Sequence, residues 1–412
     1  MGKQSAADES RRTFLRTLAV GAAATIGAAA GLRVAPPAAA AEEQTGMRRR
    51  LLGRTKLEVA QLGMGTNRLN NEAVVRRALD LGMNYFDTAE CYVDGNSEIA
   101  LGKALRGRRE QAVIATKWHT DGKTPAADLL ASLDGSLKRL DMDHVDLVQI
   151  HGADSVDQVN SDEVWDAFTR ARDAGKVRFN GVTMHENQVA VARAAISGGR
   201  YDAILIPYNA FIAERVSAVL AEAANAGVGA VVMKALQPVH GPNEAEAFKG
   251  LRGNPCQRAI QWVLRNPNVS TVIVGMPTFD ELEENYRAAT MPASEAELDE
   301  FEAAVASAAV GSCHLCGACT GQCPAGVRVA QIMRYLMYHD GYGEREHAAA
   351  LYRELPSGSS AAPCALCARC KPVCPWGVPV RERMLRAHSV LAQGLRRGDP
   401  VCHHGPEAGS RV

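Results

Sequence analysis

Between residues 59 and 288 the chain alternates short apolar runs with longer segments in which apolar positions return every three or four residues. The short runs are residues 59–64, 85–88, 112–117, 145–151, 179–183, 203–209, 228–234 and 271–275. They are continuous rather than alternating, the pattern of parallel strands buried on both faces. The intervening segments, among them 73–81, 127–140, 163–174 and 216–226, carry helical periodicity. Several end on glycine, at Leu81-Gly82, Ala174-Gly175 and Ala226-Gly227, where a left-handed residue closes a helix. Eight strand–helix units over roughly 250 residues predict an α/β chain built on a TIM (β/α)8 barrel, spanning 47–309. A doubly wound sheet is the alternative, but no glycine-rich fingerprint follows the first strand. Residues 48–58 suit a hairpin leading into the barrel.

After a last helix over 298–309 the pattern changes. Residues 310–395 hold helix-patterned segments at 327–339, 344–355 and 381–395 around cysteine-rich loops, and 396–412 reads as a flexible tail. At the other end, Arg11-Arg12 is followed by an Ala/Gly-rich apolar run over 18–32 and an alanine run ending at Ala41. This is the layout of a secretory signal over 1–41, and the twin arginines resemble a Tat leader. The expectation is Tat export to the periplasm or another extracytoplasmic space, with the signal cleaved near Ala40 or Ala41. An uncleaved anchor is the alternative. The 412 residues carry 46 basic and 46 acidic side chains, and those beyond residue 41 are net −3. No basic patch or aromatic–basic motif marks a nucleic-acid binder.

Eight of the 11 cysteines fall into two copies of C-x2-C-x2-C-x3-C-P. They are Cys313, Cys316, Cys319 and Cys323, then Cys364, Cys367, Cys370 and Cys374. Structural zinc favours cysteine pairs across a longer loop, and a disulfide framework would not require a repeated spacing. The spacing resembles that of two-cluster bacterial ferredoxins, which hold two 4Fe–4S cubanes. By that resemblance each motif lends its fourth cysteine to the other cluster. Cys313, Cys316, Cys319 and Cys374 would hold one, and Cys364, Cys367, Cys370 and Cys323 the other. The helical spacer between motifs is similar to dicluster ferredoxin domains of respiratory enzymes. Cys91, Cys256 and Cys402 show no ligand spacing and read as ordinary thiols.

Barrel enzymes place their chemistry at the C-terminal ends of strands. Asp87 ends the second predicted strand, Lys117 the third and His151 the fourth, and Tyr92 follows the second. With Phe86-Asp87-Thr88-Ala89-Glu90-Cys91-Tyr92, Ala115-Thr116-Lys117, Val148-Gln149-Ile150-His151, Gly63-Met64-Gly65-Thr66 and Glu284-Asn285, the segment 47–289 resembles the aldo-keto reductase family. The resemblance implies an oxidoreductase acting on a small carbonyl or alcohol substrate. Tyr92 would be the proton donor and Lys117 would favour its phenolate. Asp87 would fix the lysine, and His151 would orient the carbonyl. Trp118 and His119 are expected to shape the pocket.

For a nicotinamide cofactor, NAD(P), the resemblance implies contacts from Gly65, Thr66, Thr183, Tyr208, Asn209, Gly275, Glu284 and Asn285, with the Tyr208 ring stacked on nicotinamide. The chain departs from the family pattern in three places. Thr183-Met184 stands for a Ser-Asn pair, Leu205 for a glutamine, and Gly275 and Glu281 stand where cations meet a 2′-phosphate. An acid there repels phosphate and favours NAD or loose selection over strict NADP dependence. Clusters pass single electrons, whereas hydride carries two. The leading reading is an exported carbonyl–alcohol oxidoreductase with an iron–sulfur relay and a redox partner protein. An electron-transfer protein whose barrel is a docking scaffold, and a protein stapled by structural clusters, remain open.

Overall fold

The structure is a computed structural model, and it describes residues 46–240, 244–367 and 369–393. The expected signal over 1–41, the tail over 396–412 and Cys402 lie outside the described residues. Eight parallel strands close in sequential order into a barrel. They are β1 (Leu62–Gly65), β2 (Tyr85–Asp87), β3 (Val113–Trp118), β4 (Val145–Ile150), β5 (Val177–Thr183), β6 (Ala203–Pro207), β7 (Gly229–Met233) and β8 (Thr271–Gly275). The predicted TIM barrel is the fold. Its outer core lies between strands and helices, for example Ile114, Val148, Val182 and Ile204 against Leu133, Phe168 and Val219.

The predicted first run proves to be two elements. Glu58–Ala60 pairs antiparallel with Arg49–Leu51 as a hairpin, and β1 begins only at Leu62. Gln61 is the switch: its N–H donates to the Arg48 carbonyl at 2.9 Å and its Nε2 to the Ala289 carbonyl at 2.5 Å. Gln61 is the one polar residue in this run, and a single glutamine is too slight a break to separate two strands by pattern. The hairpin closes the N-terminal end of the barrel. Arg50 donates to the carbonyls of Leu264, Asn266 and Val269 at 2.6–3.0 Å. Leu52 is fully buried with Tyr85, Val113, Leu147, Leu205 and Val231 in the barrel interior. Gly53 has φ +52°, and a Cβ there would lie 2.3 Å from the Gly229 nitrogen. Only glycine permits this approach.

The C-terminal module packs the helices Val329–Asp340, Arg345–Arg353 and Val380–Leu391 around its own apolar core of Ile332, Leu336, Leu351, Met384 and Leu391. Among the described residues no helix is long and apolar enough to cross a membrane.

Replacing Leu52 by alanine is expected to destabilise the barrel by about 2–5 kcal/mol, because the plugged end cannot collapse into the cavity. Denaturant unfolding followed by far-ultraviolet circular dichroism measures it; an unchanged midpoint would refute the plug.

Candidate active site and cluster-binding motifs

The barrel register brings the strand-end residues to one level. Gly65 pairs with Asp87, Asp87 with Ala115, and Lys117 with Gln149. Lys117 and Asp87 are each 1 % exposed. The Lys117 ammonium donates to Asp87 Oδ1 at 2.5 Å, to the Thr88 carbonyl at 2.6 Å and to the Tyr92 hydroxyl at 3.1 Å. Gln149 Nε2 donates to the second oxygen of Asp87 at 3.0 Å. Gln149 reaches it by lying across Gly181, where a Cβ would stand 2.8 Å from its Cγ. In the sequence Gln149 is one more residue of a strand motif, and its parity with Lys117 follows only once β3 and β4 are paired.

Burial opposes both charges of this pair. It raises the Asp87 carboxyl above its ordinary range and lowers the Lys117 ammonium below its own, while mutual attraction resists both shifts. Tyr92 departs from the expectation. Its phenol is pushed well above 10, first by burial and then by Asp87, Tyr338 and Glu344. Desolvation of the phenolate outweighs the neighbouring ammonium, so the resting side chain keeps its proton. Val93 and Asp94, immediately after Tyr92, have φ of +49° and +56°. Such backbone is strained for a β-branched residue and is typical of functional loops.

The Tyr92 ring stands edge-on to His151 with centroids 5.7 Å apart. His151 lies just beyond β4 and is 4 % exposed. Its Nδ1 is 3.0 Å from His119 Nε2, which in turn is 3.1 Å from Cys91 Sγ. The sequence showed no ligand spacing for Cys91; the fold joins it to two histidines from other strand ends. Cys91, His119 and His151 thus form one contact network, with their ligand atoms within 4.8 Å of one another. Trp118 does not line the pocket. It is fully buried behind β3, with its ring 4.8 Å from Phe168.

The module supplies further groups that local sequence could not connect with the barrel. The Lys234 ammonium, just past β7, donates to the Tyr338 hydroxyl at 3.1 Å and lies 4.6 Å from that ring. Burial and nearby Arg334 lower Lys234 to about 7, and burial raises Tyr338 to about 12. A polar residue at a strand end was the available signal for Lys234. Nothing in local sequence paired it with a residue 104 positions away.

The cysteines gather as the ferredoxin resemblance implies. Cys313, Cys316, Cys319 and Cys374 line one cavity together with His185, Glu186 and Arg334. Burial and the crowding of neighbouring thiols raise Cys313 to about 12 and Cys319 to about 11. Burial first, and then the nearness of Cys323 and Cys367, raises Cys364 and Cys370. Four converging thiols form a donor set that suits a 4Fe–4S cluster, and binding would displace their protons. The first set faces the barrel, where Gln237 Nε2 donates to the Cys313 carbonyl at 2.7 Å. The second is outward, with Cys370 exposed and Leu366 94 % exposed.

These features agree with comparisons to known proteins. Residues 60–241 match the Aldo/keto reductase family and 312–378 match a 4Fe-4S dicluster domain. The uncharacterized oxidoreductase YrpG of Bacillus subtilis is 30 % identical over 293 residues, covering 58 % of this chain and 89 % of that protein. YqkF, an uncharacterized oxidoreductase of the same organism, is 33 % identical over 153 residues, or 33 % of this chain; the chain spans only 49 % of YqkF's length. The aldo-keto reductase AKR11C1 from Bacillus halodurans, in its holo form, superposes with a TM-score of 0.54 at 26 % identity, covering 62 % and 95 % of the two chains. The chain belongs to the aldo/keto reductase family. It is an oxidoreductase of that family with a dicluster domain joined to its barrel.

The family suggests NAD(P)H, but the expected contacts are committed elsewhere. The Thr66 hydroxyl donates to the Asp87 carbonyl at 2.9 Å and accepts from Ser97 at 2.8 Å. Thr183 Oγ1 accepts from the Gly152 nitrogen at 2.7 Å. Asn209 donates to the Lys234 carbonyl and to Gln237, and accepts from the Phe211 nitrogen. Glu284 accepts from Asn254 at 2.6 Å, and Asn285 is 5 % exposed. Gly65 and Gly275 face each other as barrel register partners. The expected stacking by Tyr208 is corrected outright. Its ring is 4 % exposed, packs 5.5 Å from Trp262, and its hydroxyl meets Asn266 and Ser217. Leu205 belongs to the barrel interior. In this arrangement these side chains bond within the protein, and the Tyr208 ring is turned away from a stacking position.

The exchange of fourth ligands predicts a specific pattern of iron loss. Cys323→Ala with Cys364→Ala should lose about half of the iron, no more than either change alone, whereas Cys323→Ala with Cys313→Ala should lose nearly all. Iron and sulfide analysis after anaerobic purification distinguishes this from two self-contained motifs, for which the two double variants would behave in the opposite way.

Proposed function

We propose that the protein interconverts a small carbonyl compound and its alcohol, with Tyr92 as the group that exchanges a proton with the substrate oxygen. The observation that carries this reading is one ammonium, on Lys117, held at once against Asp87 and the Tyr92 hydroxyl at the C-terminal end of a barrel. In the reducing direction the carbonyl carbon gains two electrons, which the loaded clusters would pass one at a time, and a proton from solvent. Tyr92 donates its proton to the oxygen and is later reprotonated from solvent, and Lys117 faces the phenolate as it forms. Asp87, fixed by Gln149, keeps that ammonium in place. His151, edge-on to Tyr92, bounds the oxygen site and can stabilise developing charge. The dicluster domain, once loaded, supplies one-electron transfer.

Four further features complete the proposal. The twin arginines Arg11 and Arg12 mark a chain exported by the Tat translocase. That route carries folded proteins, which suits clusters assembled before transport. The working location is then the periplasm or its extracytoplasmic equivalent. The outward cysteine set, flanked by exposed Leu366 and Val373, suits a redox partner protein.

Tyr92→Phe in the cluster-loaded protein should lower carbonyl reduction by a chemical reductant about 10²–10⁴-fold, the usual worth of a positioned acid. Folding and iron content should be unchanged. Because the phenol of the wild type is held well above 10, reduction should be level between about pH 7 and 9 and decline only in stronger alkali as the donor is lost. Equal turnover by Tyr92→Phe, or a wild-type rate falling steeply through neutrality, would remove Tyr92 as donor. Replacing Arg11 and Arg12 by lysine should leave the protein in the cytoplasmic fraction; unchanged export contradicts the leader assignment.

A further inference from the structure

The described structure lays one segment of the module along the rim where the family resemblance puts the cofactor contacts. At its start, Arg334 is 2 % exposed and sits 3.8 Å from Glu186, in the loop after β5. One turn on, Tyr338 takes the hydrogen bond of Lys234 after β7. Gly341 then presses on the loop beyond β7 so closely that a Cβ would stand 2.4 Å from the His240 carbonyl oxygen. Tyr342 packs edge-on to the His240 ring at 5.4 Å. Finally Glu344 reaches the loop after β1, 3.4 Å from Asn67 Nδ2 and 3.6 Å from Arg68 Nε. Arg68 in turn contacts the Gly275 carbonyl at the end of β8 and Glu281 beyond it, both at 3.5 Å.

The segment 334–344 therefore ties the mouths of β5, β7, β1 and β8 together. It is a strap of the chain's own residues across the barrel mouth, and Tyr338 and Glu344 stand near enough to act electrostatically on Tyr92. A dinucleotide laid over the ends of β1, β5, β6 and β8 needs that same space. It also needs cations for its pyrophosphate. Lys234 is engaged by a phenol, and Arg68 lies between two carboxylates.

We infer that the dicluster module occupies the dinucleotide groove of the barrel, so that the full chain with its module docked excludes nicotinamide dinucleotides from the catalytic mouth. This depends on the reading of the site above only for where the groove lies. Loss of Tyr92 as proton donor would leave it standing, and binding of a dinucleotide would leave Tyr92 in its role. The exclusion is steric and electrostatic together: backbone fills the crossing point, and Glu281 and Glu344 set negative charge beside it.

The test uses the full chain with both clusters loaded. Calorimetric titration with NADH and with NADPH should show no saturable binding up to about 1 mM. Hydrogen exchange across residues 338–344 should be the same with and without about 1 mM of either dinucleotide. Saturable binding below that concentration, or faster exchange of the strap when dinucleotide is added, overturns the inference. The double change Tyr338→Ala with Glu344→Ala removes both side chains that tie the strap to β7 and β1 while keeping all eight motif cysteines. Its strap should exchange faster, and NADH should bind at least tenfold more tightly than to wild type. A strap released by exchange criteria with no gain in NADH binding also overturns the inference.

Discussion

Removal of the Lys117–Asp87 pair from water is the constraint on which the catalytic end of this barrel depends. Taking two charges into a protein interior costs several kcal/mol for each ion, and attraction repays it only when remaining donors and acceptors are also satisfied. Here they are. Lys117 meets Asp87, a backbone carbonyl and the Tyr92 hydroxyl, and Asp87 receives Gln149 on its other oxygen. Residues from β2, β3 and the loop after β2 are bound to one another through one ammonium, and Gln149 of β4 joins them through Asp87. The strained turn at Val93 and Asp94 is tolerable in that setting, because Tyr92 is held from both sides. Burial also accounts for the protonation state: it penalises phenolate more than Lys117 favours it, which leaves Tyr92 as an acid.

The second consequence of burial lies where the module meets the barrel. Lys234 and Arg334 are cations brought close to each other under a protein roof, with Glu344 and Glu186 as nearby acids. Such a mixture is stable only while both surfaces stay together, since either half alone would leave charges without partners. The module is thus more than an appendage carrying cysteines. Its inward cysteine set backs onto the loops after β5 and β7, and its outward set meets solvent. The barrel mouth of this oxidoreductase is thus shared with the segment 334–344 of the module.

Much of this was legible in the chain. The continuous apolar runs identified eight parallel strands because strands buried on both faces admit few polar residues. The strand-end rule then selected Asp87, Lys117 and His151, and repeated spacing selected the eight cysteines. Boundaries were less legible. The hairpin strand and β1 merged into a single apolar run, separated only by the hydrogen bonds of Gln61. Tyr208 carried the expected side chain in the expected place, yet its ring turned outward onto Trp262. Residue type at a strand end does not determine which side of the barrel wall a ring occupies.

Local sequence by itself determined the periodicity that makes strands and helices, the spacing that clusters thiols, and the types of residue delivered to the barrel's catalytic end. Those depend on short-range geometry: 3.6 residues per helical turn, two per strand repeat, and a few residues per cysteine loop. Tertiary structure alone decided that Gln149 supports Asp87, that His119 and Cys91 join His151, and that Tyr338 meets Lys234. It also decided that residues 334–344 cross the mouth. Each of these joins groups far apart in the chain whose local patterns carry no sign of each other. The physical reason is that their partners are chosen by the packing of a closed sheet and of the module upon it.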